Sequence, residues 1–182
     1  IQDGTLLYSC RDITRRKQRE EALATLQATA RDFLYAETRQ AIAQQVADDT
    51  PTVLDLDAGA VYLFDADAND LRPVASTAEM AELHGPLGTV HADGAGLTSH
   101  TFVAGESLFF DDVHGADRLE NPATGLRSAA YIPLGDHGVF VAGSSTPGEF
   151  DETTREVADL LAATAEAALD RVTRESRLRE QD

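Results

Sequence analysis

The five histidines are the side chains of this chain best suited to hold a metal ion or to move a proton near neutral pH. They are His84, His91, His100, His114 and His137. No two of them have the four-residue spacing at which one helix presents two imidazoles to zinc, and the single cysteine, Cys10, excludes a cysteine cluster or a disulfide within the chain. We therefore predict no metal site. We interpret His137, in a predicted hairpin turn, as solvated and His100 as structural, although His100 could also donate a hydrogen bond to a ligand.

Two motifs that contain glycine and serine lack residues that catalysis or nucleotide binding requires. A hydrolase nucleophile elbow has glycine two residues before and two residues after its serine, and the Gly-Ser-Ser run at 143–145 does not fit this pattern. The Gly-Ala-Gly run at 94–96 has Ser99 where a dinucleotide fingerprint has its third glycine. Lys17 is the only lysine, so no lysine follows a phosphate-binding loop. We predict no catalytic residues.

The acidic segment 65–70 begins like a calcium-binding loop. Such a loop has glycine at its sixth position and glutamate at its twelfth, where this chain has Asp70 and Ser76. We interpret the segment as an acidic hairpin turn.

Acidic residues dominate the charge of the chain. There are 32 aspartates and glutamates against 15 basic residues, and the formal net charge is −17. The acids are spread over the whole sequence, as in proteins of salt-saturated cytoplasm, where acidic side chains retain water and salt screens their repulsion. We predict a halophilic protein, with an ordinary acidic protein as the alternative. Because no basic face is present to neutralise phosphates, this segment is not expected to bind nucleic acid.

The length and hydropathy of the chain indicate a globular domain with flanking helices. The 182 residues are 42% hydrophobic, which is enough for one domain with a core of its own. No apolar run approaches the roughly 20 residues that span a bilayer. No basic stretch followed by an apolar stretch marks a signal peptide, so the expected location is the cytoplasm, away from membranes.

Hydrophobic periodicity predicts a long helix at each end. One extends from Arg15 to about Asp49, limited by Pro51, and the other starts at the N-cap Asp151 and runs on through a charged tail. Each helix carries an apolar stripe, and we predict that the stripes pack in a homodimer and transmit a signal. The stripe residues are Leu23, Leu26, Ala30 and Phe33 on the first helix and Leu161, Ala165, Ala168 and Val172 on the second.

Between the helices, β-rich runs and turn residues predict a mainly antiparallel sheet, and hence an α+β fold. Short helices are expected at 78–83 and 97–103, over one face of the sheet. Pro73 places its strand at an edge, and Gly-Asp-His-Gly at 135–138 predicts a hairpin turn. The predicted strands are residues 60–64, 71–76, 108–110, 128–134 and 139–144.

The N-terminal segment resembles the exit of a PAS sensor domain. Residues 4–10 have the pattern of a short strand, and Asp12-Ile13-Thr14-Arg15-Arg16-Lys17 follows it. The resemblance implies that residues 1–14 end a PAS domain and that 15–50 form a linker helix.

From about Glu20 to Val172 the sequence resembles a GAF sensor domain, and the order and spacing of several short motifs carry this resemblance. The motifs are Gly59-Ala60-Val61-Tyr62-Leu63-Phe64-Asp65, Ala104-Gly105-Glu106-Ser107 leading to Phe110-Asp111-Asp112-Val113, Arg127-Ser128-Ala129-Ala130-Tyr131-Ile132-Pro133-Leu134, Gly138-Val139-Phe140-Val141-Ala142-Gly143 and Phe150-Asp151. The resemblance assigns residues 51–172 to the GAF domain and 173–182 to an outgoing signalling helix.

The pair of modules resembles the bacterio-opsin activator family of halophilic archaea, in which PAS and GAF modules precede a helix-turn-helix DNA-binding region. It implies a non-catalytic sensor with adjacent PAS and output domains, and the GAF domain of a sensor histidine kinase is similar enough to be the alternative. An enzyme on the same fold, or a structural spacer, is a further alternative. Some GAF domains reduce methionine sulfoxide with paired cysteines or attach a bilin through cysteine, but the GAF segment here has no cysteine.

The resemblance also implies a pocket for a small non-covalent ligand between the sheet and the short helices. An ordinary core without a ligand remains an equal alternative, and no cofactor is predicted. The lining residues that the resemblance implies are Ser76, Thr77, Ser99, His100, Thr101, Phe110, Ser128 and Tyr131.

Overall fold

In the computed structural model, residues 2–119 and 121–181 are described, with side chains for residues 13–119 and 121–180. The helices and strands follow the order that the sequence predicts for an α+β fold, apart from the corrections below. The helices are α1 (Gln2–Tyr35), α2 (Arg39–Leu54), α3 (Ala78–His84), α4 (Leu97–Ala104) and α5 (Glu152–Gln181). The strands are β1 (Ala58–Asp65), β2 (Asp70–Ser76), β3 (Val90–His91), β4 (Leu108–Phe110), β5 (Ser128–Pro133) and β6 (Gly138–Ser144).

The six strands form one antiparallel sheet in the order β3-β2-β1-β6-β5-β4. β1 is central and pairs with β2 on one side and with β6 on the other. The two-residue strand β3, which the sequence did not reveal, pairs only with Asp70 and Leu71 of β2. Pro73 lies beyond this short pairing, where β2 is an edge strand, as expected for a residue without a backbone donor.

The two faces of the sheet bury different cores, because successive side chains of a strand point to opposite faces. Val61 and Leu63 of β1 pack in a core with α1, α2 and α5. Their neighbours Ala60 and Tyr62 pack in a second core, beneath α3 and α4. We call the first the helix face and the second the pocket face.

The prediction of a single helix from Arg15 to about Asp49 is wrong, because the helix is interrupted between Tyr35 and Arg39. Thr38 starts α2 as its N-cap, and its hydroxyl accepts a hydrogen bond of 3.0 Å from the Ala41 amide. Pro51 was also expected to stop the helix, yet α2 continues to Leu54. A proline in the last turn removes one hydrogen bond, and the burial of Val53 and Leu54 offsets that loss.

The strand expected at residues 4–10 is also wrong, because this segment belongs to α1. No strand of the described chain pairs with it. A strand without a neighbour would leave its backbone N–H and C=O groups without hydrogen-bond partners, whereas a helix pairs these groups within itself. The side chains of these residues, including Cys10, lie outside the described part of the structure.

The start of α5 follows the expectation from the sequence. The carboxylate of Asp151 accepts a hydrogen bond of 2.8 Å from the amide of Thr154 and so caps the helix. No helix within the described residues is long and apolar enough to cross a membrane.

Candidate ligand pocket

A small cavity lies on the pocket face of the sheet, beneath α3 and α4. Its volume is about 10 Å³, which is room for about one water molecule. The lining residues are Ala60, Tyr62, Met80, His84, Leu87, Thr98, Leu126, Tyr131 and Val141. The structure therefore shows a narrow pocket, which a ligand larger than water could enter only after its walls move.

Strand and helix periodicity together position this lining. Tyr62 and Tyr131 lie on the same face of the sheet, in β1 and β5, at positions where neighbouring residues alternate between the two cores. Met80 and His84 are four residues apart and share one side of α3, while Thr98 comes from the first turn of α4.

The pocket combines an apolar wall with four polar side chains. Tyr62, His84, Thr98 and Tyr131 all have interactions within the protein. Aromatic rings with hydroxyl and imidazole groups suit a small molecule that has an apolar body and a few hydrogen-bonding groups. Such a molecule would have to displace the partners that these groups have within the protein.

One loop, residues 121–126, bonds to the end of α3 beside the pocket and contributes Leu126 to its lining, and we call it the cover. The Gly125 amide donates to the Leu83 carbonyl at 2.6 Å, and the Asn121 side chain donates to the His84 carbonyl at 2.8 Å. Nδ1 of His84 lies 3.2 Å from the Thr124 hydroxyl. These bonds tie the cover to α3 beside the pocket.

Three further contacts of His114 and Asp112 hold the segment that leads into the cover. Nε2 of His114 lies 2.9 Å from the Thr124 carbonyl oxygen. The carboxylate of Asp112 accepts a bond from the His114 amide at 3.0 Å and pairs with Arg127 at 3.0 Å. The hydrogen bond from the His114 backbone and the nearby Arg127 charge hold the pKa of Asp112 below its ordinary value.

Of the eight residues expected to line the pocket, the structure places Tyr131 there. Phe110 lies next to it, and the two rings meet edge to face with centroids 6.2 Å apart. Ser76 is exposed at the end of β2. Thr77 is the N-cap of α3, where its hydroxyl accepts from the Met80 amide and donates to the Asp57 carbonyl.

The other four expected residues have structural surroundings of their own. The Ser99 hydroxyl donates to the His91 carbonyl at 2.6 Å, and Nδ1 of His100 lies 3.1 Å from the Arg118 guanidinium. The Ser128 hydroxyl donates to the Thr146 carbonyl at 2.6 Å, which fixes the loop before α5. Thr101 is fully buried, and its hydroxyl has no hydrogen-bond partner among the described residues.

Tyr62 and His84 are among the lining residues that sequence reasoning missed. Tyr62 shares the alternation of β1 with Ala60, so its face could have been read from the strand pattern. His84 follows Met80 by four residues on the predicted helix at 78–83, which signals one shared side. Nothing in the sequence indicates that the cover would meet this side of α3.

The apolar stripes expected to pack against a second protomer are covered largely by the chain itself. Leu26, Phe33, Leu161, Ala165 and Val172 are buried in the core of the helix face, as is Ala168. Leu23 and Ala30 are half-buried. Because the chain itself largely covers the stripes, they give no argument for a dimer. The homodimer stays a prediction, and its contact would have to use other surfaces.

The fold and site define an α+β domain with one antiparallel sheet, a narrow pocket on one face and a bundle of three helices on the other. The family model of the GAF domain matches residues 36–170, which include α2 and most of α5. The chain belongs to the GAF domain family.

Solved structures with the same fold come from proteins of several kinds. The GAF domain of a phosphoenolpyruvate-protein phosphotransferase from Coxiella burnetii superposes with a TM-score of 0.74 at 16% identity, covering 87% of this chain and 98% of that one. Free methionine-R-sulfoxide reductase from Neisseria meningitidis, in complex with its substrate, gives 0.72 at 18% identity, with 87% and 93% covered. A methyl-accepting chemotaxis protein gives 0.65 at 18% identity, with 79% and 96% covered.

At these identities the likeness shows the fold alone. No curated protein sequence matches this chain significantly.

Proposed function

We propose that this GAF domain is a non-catalytic sensor, in which a small ligand taken up beneath the cover changes the packing of α1, α2 and α5. The observation that supports this most is that one strand, β1, contributes side chains to both cores. Tyr62 faces the pocket, while Val61 and Leu63 on either side of it pack against the helices. A ligand that displaces Tyr62 would therefore move the strand on which the helix bundle rests.

A cavity-filling variant tests this function. Ala60→Leu should fill the cavity of about 10 Å³ and block ligand uptake, whereas Ala163→Leu on the exposed side of α5 is the matched control. We expect a small-molecule screen to yield a compound that raises Tm for the native protein and for the control but not for Ala60→Leu.

Spin labels on α1 and α5 should then report a changed distance when that compound binds. Binding without any change between the helices would reject the sensor and leave a passive binding module. If no compound raises Tm, the spacer hypothesis is favoured instead.

An enzyme of the sulfoxide-reductase type is the main alternative, since two of the similar solved folds are reductases of free methionine-R-sulfoxide. Residues 36–170 contain no cysteine, and reduction by paired cysteines needs two. We expect no turnover of free methionine sulfoxide when a thiol reductant is supplied. Turnover above the rate of the reductant alone would contradict the non-catalytic proposal.

We further propose that the domain works in the cytoplasm within a longer signalling protein, between a PAS domain and an output domain. The first choice of output is a helix-turn-helix DNA-binding region of the bacterio-opsin-activator type, and a histidine kinase is the alternative. Specific DNA binding by the full-length gene product at high salt would support the first. ATP-dependent autophosphorylation on histidine would replace it with the second.

A homodimer is part of the same proposal, with its contact on the outward faces of the terminal helices. Leu34 of α1 and Leu160 of α5 are exposed large apolar residues, with 67% and 39% of their surface accessible. A second protomer that covers them would remove apolar surface from water.

A further inference from the structure

The wall of the ligand pocket contains no aspartate, glutamate, lysine or arginine among the described residues that form it. Charged residues make up 26% of the chain, and four grooves elsewhere on the described surface each have several charged side chains in their walls. The absence of these side chains therefore distinguishes the pocket from the rest of a highly charged molecule.

The elements around the pocket have the same character. Over it, α4 contains no acidic residue, lysine or arginine, and neither does the cover beside it. Under it, the same holds for β5 and β6. Of the two glutamates on α3, Glu79 and Glu82, neither lines the pocket. A charge on a bound molecule would thus meet no carboxylate, ammonium or guanidinium group in the described wall.

The floor of the pocket is apolar and has an aromatic side chain on two sides. Ala60, Val141 and Tyr131 lie in register across β1, β6 and β5, so Tyr131 is two strand spacings away from Ala60. Tyr62 follows Ala60 by two residues and lies on the same face of β1. Small and β-branched side chains between two tyrosines suit the flat apolar part of a ligand.

The polar groups of the wall are hydroxyls and one imidazole. Tyrosine and threonine hydroxyls are uncharged near neutral pH and can both donate and accept a hydrogen bond. Nδ1 of His84 lies 3.2 Å from the hydroxyl of Thr124, which is an uncharged group. Groups of this kind can satisfy an amide, a hydroxyl or a carbonyl. They do not replace the counter-ion that a buried full charge requires.

From these observations we infer that the pocket takes an uncharged small molecule with a flat apolar part and one or two hydrogen-bonding groups. Carboxylates, phosphates and ammonium compounds are discriminated against, because their charge would be buried without compensation. Free amino acids and nucleotides are therefore not its ligands. The inference rests on the proposed function, since it assumes that a ligand enters this pocket.

The test compares three probes that share one ring: benzamide, benzoate and benzylammonium. Each is titrated at about pH 8, above the ordinary imidazole pKa of about 6.5, while the ring signals of Tyr62 and Tyr131 are followed by NMR. We expect a saturable shift with benzamide and at least tenfold weaker binding of both ions. The net charge of −17 repels benzoate but attracts benzylammonium, so weak binding of both identifies the pocket wall as the cause.

A cavity-filling variant shows whether the probes bind in the pocket. Ala60→Leu should abolish the response to benzamide, because the added side chain fills the space above the floor. Ala163→Leu, on the exposed side of α5, should leave the response unchanged.

A charge added to the wall should reverse the preference. Leu87→Asp places a carboxylate in the wall at a half-buried position, and it should raise the affinity for benzylammonium relative to benzamide at least tenfold. Val103→Asp adds the same charge to α4 at a position that is 71% exposed and outside the wall, and it should not change the ratio. If Leu87→Asp does not fold, the three probes on the native protein still decide.

Two results would overturn the inference. Binding of benzoate or benzylammonium in the pocket as tightly as benzamide would reject the ligand class and leave the proposed sensor function intact. Binding of none of the three in the pocket would reject the ligand class as well, and the screen for compounds that raise Tm would then decide the proposed function separately.

Discussion

At the scale of single residues, Asp112 links the cover to pH. The backbone bond from His114 and the Arg127 charge lower the pKa of Asp112 in the folded state. Asp112 therefore adds stability at pH values above the ordinary aspartate pKa of about 3.9, and this contribution is lost as the pH falls through the lower folded value.

We predict that an NMR titration places the pKa of Asp112 below about 3.9. Arg127→Gln should raise it only part of the way, since the bond from the His114 amide, which is the larger cause, remains. The difference in unfolding free energy between the native protein and Asp112→Asn should shrink below about pH 4. A titration midpoint at the ordinary value would show that the contacts to His114 and Arg127 do not persist in solution.

Gly138 is a second residue with a measurable role, because a side chain there would meet the backbone of the neighbouring strand. A Cβ at this position would collide with the carbonyl oxygen of Tyr62. We predict that Gly138→Ala destabilises the domain by several kcal/mol, since a backbone contact between paired strands cannot yield as a side chain can.

Gly88→Ala is the control for that change, because a Cβ at Gly88 has nothing within 4 Å. Urea unfolding measures both variants. Equal stability of the two would show that β1 and β6 are not as close as the structure has them.

At the scale of elements, Arg171 of α5 holds the junction between α1 and α2. Its Nη2 donates to the Phe33 carbonyl at 2.8 Å and to the Ala36 carbonyl at 3.0 Å. These carbonyls lie at the end of α1, where a helix leaves its acceptors unsatisfied and favours a positive charge.

We predict that Arg171→Met lowers the free energy of unfolding by about 1–3 kcal/mol, the range for hydrogen bonds from a charged group. Arg179→Met, at an exposed position near the end of α5, should change it little. Urea unfolding gives the stability, and limited proteolysis near residues 36–38 reports whether the junction loosens. If Arg171→Met behaves like the control, the bonds to α1 are not maintained in solution.

The helices and strands were predictable where one periodicity dominates. The hairpin of β5 and β6, the cap at Asp151 and the paired strands β1 and β2 all follow from local patterns. The break between α1 and α2 was not predictable in this way, because Ala36, Glu37 and Thr38 include no glycine or proline. Arg171 of α5 donates to two carbonyls at this end of α1, and no local pattern reveals this contact.

For the pocket, the sequence could predict only which strand residues face it. Alternation identifies the inward residues of β1 and β5, but the cover reaches α3 through contacts between residues about 40 positions apart, such as His84 and Thr124. The resemblance to a GAF domain implied several hydroxyl residues in the lining. Several instead satisfy backbone groups, as Thr77 and Ser128 do.

At the scale of the whole molecule, the net charge of −17 makes stability depend on salt. The screening length falls from about 10 Å at 0.1 M to about 3 Å at 1 M, so repulsion between exposed carboxylates decreases. We predict a Tm that rises steeply from low salt to molar potassium chloride. A variant with several exposed aspartates changed to asparagine should show a weaker rise. A Tm that does not respond to salt would contradict the halophilic interpretation.

Light scattering tests the homodimer, for which we expect twice the chain mass of 19.5 kDa at high salt. Changing Leu34 and Leu160 to glutamate together should give a folded monomer, since both side chains are exposed. Leu26→Asp should instead unfold the chain, because it places a charge without a partner in the core of the helix face. A native protein that stays monomeric at high micromolar concentration would reject the dimer.

The terminal helices α1 and α5 run side by side in the same direction. Arg19 pairs with Glu156 at 2.6 Å, and the carbonyl of Phe33 accepts from Arg171 at 2.8 Å. The sequence separations of these two pairs are 137 and 138 residues, so the register between the helices is almost constant along their length. The chain therefore leaves the domain through α5 in the same direction in which it enters through α1. Domains whose first and last helices are parallel in this way can follow one another along a chain without a reversal of the chain direction.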